Sequence, residues 1–125
     1  MATASELSGL GLAPELAGRV AQGVHDTATG LTAAGTTIAD ALKLTKGVNV
    51  IGTAAASTGV KLPPFSVGSQ VFIKNGGAQT VNIFPNTSSE KINGGSAGAA
   101  VTLATTKSAL LFKVGAIDWV SVGLD

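Results

Sequence analysis

The spacing of apolar residues divides the chain into two regions with different periods. Over residues 1–22 apolar side chains recur at intervals of three and four, as they do on one face of a helix. From residue 38 onward they alternate with polar side chains, as they do in strands. The pattern therefore predicts a helical N-terminal arm over residues 1–22, a linker over 23–37 and a β-domain over 38–125.

The predicted arm consists of two short helices. Thr3 and Glu6 fit a capping box for the first helix, and Pro14 suits the first turn of the second. Each helix is too short to persist alone in water, so its apolar face must dock on another surface. That surface is either one end of the chain's own sheet or a neighbouring protein, and the pattern leaves both open. The candidate contact residues are Leu7, Leu10, Leu12, Leu16 and Val20.

The remainder of the chain is predicted to be mainly β, a small antiparallel β-sandwich or barrel of about seven to eight short strands. Glycine, asparagine and proline residues separate the predicted strands, and short strands joined by such turns are typical of these folds. The predicted strands cover residues 38–44, 48–53, 69–74, 80–85, 99–103, 108–114 and 117–122, with a shorter one near 60–62.

Two of these strands, on either side of Asn75-Gly76, are predicted to pair as a hairpin. Alternation puts Val71 and Ile73 on one face of the first strand and Val81 on the corresponding face of the second. Because directly opposed residues share a face, the loop must contain an odd number of residues. We therefore expect Val81 to lie opposite Val71 or Ile73.

The last two predicted strands form a second hairpin, with a two-residue turn at Gly115-Ala116. This turn opposes Lys113 to Asp118 and Phe112 to Trp119. Both faces of the hairpin are then apolar, whereas a hairpin in an isolated domain usually leaves one face in water. We expect the second face to be buried against another subunit, and the candidate interface residues are Leu111, Val120 and Val122.

Composition narrows the class of protein. Charged residues make up 12% of the 125 residues, the net charge is +1, and lysine and arginine are not clustered, which disfavours a nucleic-acid partner. No apolar stretch reaches the roughly 18 residues of a membrane-spanning helix, and no secretory signal is recognisable, so synthesis in the cytoplasm is expected. There is no cysteine, which excludes disulfides and thiolate metal sites. A weakly charged surface suits burial against other subunits.

Candidate chemistry is sparse. The run 94–98 matches the G-x-S-x-G pattern of a hydrolase, but that chemistry needs an activating histidine, and His25, the only one, lies in the predicted linker. We interpret the run as a glycine-rich turn and Trp119 as a core residue. No phosphate-binding loop or metal-ligand spacing is present. The sequence therefore predicts a protein that is not an enzyme and that has no cofactor and no metal.

Several short segments together resemble a β-domain of tailed-bacteriophage virion proteins, and small stand-alone members of this kind resemble capsid decoration (cement, or head-stabilising) proteins. The segments that carry the resemblance are 6–16, 35–37, Leu42, 48–51, 59–63, 68–71, 75–77, 81–85, 92–94, 101–103, 107–108 and Trp119. The resemblance implies a homotrimer on the outer capsid surface of the virion, bound to the major capsid protein and made in the cytoplasm of the bacterial host. Related domains occur in head fibres and in receptor- or glycan-binding tail fibres, and a tail or head–tail adaptor is a further alternative.

Overall fold

The structure is a computed structural model that describes residues 27–124. This part of the chain forms ten β-strands and contains no helix, so the predicted mainly β fold is confirmed. The predicted helical arm over residues 1–22 lies outside the described residues. The strands are β1 (Thr27–Thr32), β2 (Leu42–Lys43), β3 (Val48–Thr53), β4 (Gly59–Lys61), β5 (Gln70–Asn75), β6 (Val81–Phe84), β7 (Lys91–Ile92), β8 (Val101–Leu103), β9 (Ser108–Lys113) and β10 (Asp118–Val122).

The strands form two sheets, and the chain passes from one sheet to the other at each step from β1 to β6. The six-stranded sheet has the order β1-β3-β5-β9-β10-β7, and the four-stranded sheet has the order β2-β4-β6-β8. Within each sheet the first three strands in chain order run parallel. This solenoid-like coil differs from the predicted antiparallel sandwich or barrel. Alternation identifies the faces of a strand, but it does not reveal which strand lies beside it or in which direction.

The last strands complete the two sheets mainly through antiparallel pairs. β8 pairs with β6, β9 pairs with β5, and β10 pairs with β9, all antiparallel. β7 pairs with β10 in parallel and forms the far edge of the six-stranded sheet. As a result β9 lies at the centre of that sheet, between β5 and β10.

The core lies between the two sheets and is almost entirely aliphatic. Trp119 is 1% exposed, which confirms its predicted core position. Full burial of a valine, leucine or isoleucine side chain stabilises the fold by about 1.5–3 kcal/mol before ordering costs. The main contributors from the six-stranded sheet are Ile51, Val71, Ile73 and Leu111, and those from the four-stranded sheet are Val60, Val81, Ile83 and Leu103.

Strand β1 lies inside the segment 23–37, which the sequence predicts to be a linker. β1 pairs with β3 in parallel, with Leu31 beside Ile51, and the register shifts twice along the pair. Such irregularities remove the strict alternation from which a strand is predicted. An edge strand also needs only one paired side, so its small and polar residues are tolerated.

The predicted hairpin around Asn75-Gly76 is wrong, because β5 and β6 lie in different sheets. The Asn75 side chain is buried and stabilises the corner at which the chain leaves the six-stranded sheet for the four-stranded sheet. Its Nδ2 donates to the carbonyl oxygens of Gln79 (2.8 Å) and Leu103 (2.9 Å). Its Oδ1 accepts the N–H of Gly77 at 3.0 Å. At Gly77 an added Cβ would lie 2.7 Å from Ala54, so the close approach of these segments requires glycine.

The predicted C-terminal hairpin is present, but its predicted register is wrong by one residue. Lys113 lies opposite Trp119, and Phe112 lies opposite Val120. The N–H groups of Val114 and Gly115 both donate to the carbonyl oxygen of Asp118, at 3.0 and 3.3 Å, which leaves a three-residue turn instead of two. A shift of one residue moves every side chain of one strand to the opposite face of the sheet.

Candidate functional site: the outer face of the six-stranded sheet

The six-stranded sheet is apolar on both sides. We call the side turned away from the four-stranded sheet the outer face. Strand pairing places an uninterrupted apolar row across it, in which Val48 lies beside Phe72, Phe72 beside Leu110, and Leu110 beside Val122. The apolar residues of the outer face are Val48, Val50, Phe72, Leu110, Phe112, Val120 and Val122.

The two-sided character follows from runs of consecutive apolar residues. In β9, Ala109 and Leu111 are buried in the core, while Leu110 and Phe112 alternate with them and are only partly buried. In β5, Phe72 stands between the buried Val71 and Ile73 in the same way. An antiparallel sheet with one face in water normally carries polar residues there. The outer face therefore has the composition of a contact surface.

Exposure on the outer face is greatest at β10. Val120 is 42% exposed and Val122 is 61% exposed, whereas the apolar residues of this face on β3, β5 and β9 are partly buried. Polar residues lie at the margins: Gln70 pairs with Phe112, and Lys74 pairs with Val50. Large apolar patches on a soluble protein mark surfaces that meet a partner.

The structure separates the three predicted interface residues. Leu111 is 0% exposed and belongs to the core of the single chain, so its assignment to an interface is corrected. The one-residue register shift places Leu110 on the outer face instead, next to Val122. Val120 and Val122 do lie on the exposed face. The predicted arm contacts Leu7, Leu10, Leu12, Leu16 and Val20 lie outside the described residues.

Sequence reasoning missed Val48, Phe72 and Leu110 as members of the row. The signal was present in the three-residue apolar runs 71–73 and 110–112, which leave no polar position for a solvent face. What could not be read from those runs is that β3, β5, β9 and β10 are neighbours.

Residues 27–124 include three acidic side chains and no histidine or cysteine. They contain no group of three or more histidine, cysteine, aspartate or glutamate side chains that could hold a metal ion. The G-x-S-x-G run lies in turns, with Gly94 and Gly98 at positive φ (71° and 74°), and strand β8 follows it where a hydrolase would have a helix. His25 lies outside this part of the chain.

One buried polar cluster joins the segment before β7 to the β9–β10 hairpin. The indole N–H of Trp119 donates to Oε1 of Glu90, and the Thr87 hydroxyl donates to Oε2 at 3.2 Å. The Lys113 ammonium lies 3.9 Å from Oε2 and 5.7 Å from the centre of the Trp119 rings. Each carboxylate oxygen of Glu90 therefore has a partner, which fits a structural role better than a reactive one.

Asp40 closes the turn between β1 and β2. Its Oδ1 accepts the backbone N–H of Thr37 at 2.8 Å, the Thr37 hydroxyl at 2.8 Å and the N–H of Thr36 at 3.1 Å. These hydrogen bonds, that of the Thr37 N–H foremost, lower the pKa of the Asp40 carboxyl because they favour its charged form. The arrangement is a local turn cap.

Comparison with protein-family models, with curated proteins and with solved structures found no match for this chain. Over residues 27–124 there is also no helix of the length and apolarity needed to cross a membrane.

Proposed function

We propose that this chain is a non-catalytic virion structural protein that decorates and stabilises the outer surface of a bacteriophage capsid as a homotrimer bound to the major capsid protein. The observation that carries the proposal is the outer face, where an apolar row crosses four adjacent strands and ends at Val120 and Val122 on β10, which are exposed in the single chain. Binding to a capsid and the trimeric state are proposed from the resemblance of the sequence to capsid decoration proteins.

Contact between copies is centred on β10. Val120 and Val122 are the most exposed apolar residues of the outer face, and Leu110 lies directly beside Val122. Burial of each valine against a neighbouring copy contributes up to about 1.5–3 kcal/mol before the cost of association. The low charge of the chain opposes such packing only weakly.

Stabilisation of the capsid would be passive. A trimer that contacts several capsid subunits binds through many weak contacts that act together. A protein that binds the assembled shell, but not the separated subunits, stabilises the shell by mass action. This mechanism needs no catalytic group. The predicted arm residues Leu7 and Leu10 are the proposed contacts with the shell or with a neighbouring trimer.

Quantitative mass spectrometry of purified particles tests the proposal. Hundreds of copies per particle are expected, because decoration proteins cover a repeating surface. A handful of copies would contradict decoration and would instead fit a head fibre, a tail fibre that binds a receptor or glycan, or an adaptor. Absence from the particle would overturn the virion role altogether.

A binding assay gives a second test. The purified chain should co-sediment with empty heads, and the double variant Leu7→Ser/Leu10→Ser should bind less while it keeps its trimeric state. The matched control Val67→Thr alters an exposed valine in the turn before β5, and we expect it to bind as the unaltered chain does. Equal binding by the arm variant would remove the arm from the proposed interface.

A further inference from the structure

The outer face divides into two parts: β10, which carries its most exposed apolar residues, and a half formed by β3, β5 and β9. This half lies next to the start of the described chain. Thr27, the first described residue, pairs with Val48, which begins the apolar row. The chain that precedes Thr27 therefore reaches the sheet at the edge of this half. The half comprises Val48 and Val50 on β3, Phe72 on β5, and Leu110 and Phe112 on β9.

The preceding chain carries a matching apolar pattern. Leu12, Leu16 and Val20 follow one another at intervals of four, which puts them on one face of a helix. Six residues separate Val20 from Thr27, and six residues span at most about 20 Å. From the edge strand to Phe72 is two strand spacings, about 10 Å, so the connection is long enough for the segment to return over its own sheet.

The width of a helix fits this half and leaves β10 free. A helix with its side chains is about 10–12 Å across, and three neighbouring strands span two spacings of about 4.8 Å. A single helix placed above β5 would therefore be wide enough to cover β3, β5 and β9. Val120 and Val122 stay uncovered, as contact between copies requires.

We propose that residues 12–22 pack on β3, β5 and β9 of their own chain, with Leu12, Leu16 and Val20 against Val50 and Phe72. The attachment at Thr27 keeps this segment close to its own sheet at a high effective concentration, which favours it over the same segment of another copy. The two predicted helices then have separate roles. The second covers the sheet, and the first, with Leu7 and Leu10, extends beyond it.

Disulfide trapping tests this placement. Because the chain has no cysteine, only the introduced cysteines can form a cross-link. Ala13→Cys, which flanks the apolar stripe, is combined in turn with Gln70→Cys and with Lys74→Cys, which lie on the outer face on either side of Phe72. We expect a cross-link within one chain for at least one pair, seen as faster migration on a non-reducing gel. The control pair is Ala13→Cys with Thr102→Cys, an exposed residue of the four-stranded sheet.

The cross-linking outcomes are decisive. No cross-link to either outer-face position, or cross-linking equal to that of the control pair, would overturn the proposal. Cross-links that join two chains would overturn docking within one chain and would show an exchange of arms. None of these results depends on the virion role, which the copy number per particle tests separately.

Thiol labelling provides a second measurement that leaves the segment unconstrained. The thiol of Val50→Cys should react with a maleimide at least about tenfold more slowly than in a chain that also carries Leu16→Ser/Val20→Ser, because the reaction requires the segment to open. The Thr102→Cys thiol should react at the same rate in both backgrounds, which checks that the fold is retained. Equal rates for Val50→Cys in the two backgrounds would contradict the proposal.

Discussion

The indole nitrogen of Trp119 donates a 2.7 Å hydrogen bond to Oε1 of Glu90, inside a protein whose core is otherwise almost entirely aliphatic. Glu90 precedes β7, and Trp119 lies on β10 beside Ile92, so the bond fixes the far edge of the six-stranded sheet. Lys113, opposite Trp119 on β9, completes the cluster by approaching Oε2. Two parts of the chain that are remote in sequence, the segment before β7 and the β9–β10 hairpin, thus meet at one buried carboxylate.

Substitution of this carboxylate should destabilise the domain. Glu90→Gln can keep its carbonyl oxygen at Trp119 and place its amide NH2 at the position of Oε2. The Thr87 hydroxyl can accept from that NH2, but the Lys113 ammonium is a donor only and loses its charged acceptor. We expect the free energy of unfolding to fall by about 1–3 kcal/mol, the usual cost of a mismatched buried polar group. Urea titration followed by Trp119 fluorescence measures it. Asp118→Asn, an exposed control, should change stability by no more than about 0.5 kcal/mol, and an equal effect in both variants would contradict the argument.

The faces of several strands could be predicted from the sequence, whereas their neighbours could not. The bounds of β3 agree with the predicted strand 48–53, and the β9–β10 pairing was expected. The turn between β9 and β10 has three residues, one more than expected, and this extra residue places Leu111 in the core and not on the outer face. Turn length decides the register of a hairpin, and the sequence 114–118 is compatible with a turn of two or of three residues.

The corner at Asn75 shows a second limit of sequence reasoning. Asn-Gly between two alternating segments is a strong signal for a hairpin. Here the asparagine side chain bonds to Leu103, a residue 28 positions further along the chain, and thereby directs the chain into the other sheet. No local pattern reports that long-range partner.

Removal of the Asn75 amide should cost more than an ordinary loop substitution. Asn75→Ala removes the hydrogen bonds of the Gln79 and Leu103 carbonyl oxygens and of the Gly77 N–H. The expected loss is roughly 1.5–4.5 kcal/mol in the free energy of unfolding, from three hydrogen bonds of about 0.5–1.5 kcal/mol each. Gln79→Ala serves as the control, because its side chain is exposed and its carbonyl remains. Equal chemical denaturation curves for the two variants would show that the corner does not depend on Asn75.

Asp40 should give the domain a dependence on acid pH. Since its pKa is lower in the folded chain, chiefly through the hydrogen bond from the Thr37 N–H, the folded state binds this proton less readily than the unfolded state. The contribution is present above the ordinary pKa of aspartate and is lost as the pH falls through the lower folded value. Between about pH 5 and pH 3 the urea midpoint should therefore fall further for the unaltered chain than for Asp40→Asn. Identical decreases would rule out this carboxyl as a source of the acid sensitivity.

The outer face could be predicted only in part, for a physical reason. That two faces of the C-terminal hairpin are apolar follows from the runs of apolar residues around Leu111, and Val120 and Val122 were expected to be in contact with a partner. The extension of the face to Val48 and Phe72 depends on parallel pairing between strands separated by a strand of the other sheet. Such pairing has no signature in the spacing of residues along the chain.

Conservative changes at β10 should separate association from folding. Val120→Thr/Val122→Thr keeps the shape and the β-branched backbone preference of both side chains, so the fold of the single chain is expected to survive. In an assembled trimer each buried hydroxyl without a partner costs about 1–3 kcal/mol, so the dissociation constant should rise at least about tenfold. Sedimentation equilibrium of the unaltered chain should give a trimer at micromolar concentration and that of the variant a shift toward monomer, with circular dichroism unchanged. Val67→Thr removes a similarly exposed valine in the turn before β5, outside the strands of the outer face, and should leave the trimer intact. If the unaltered chain is a stable monomer, or if the β10 variant associates as strongly as the Val67→Thr control, the outer face is not the surface that joins the copies.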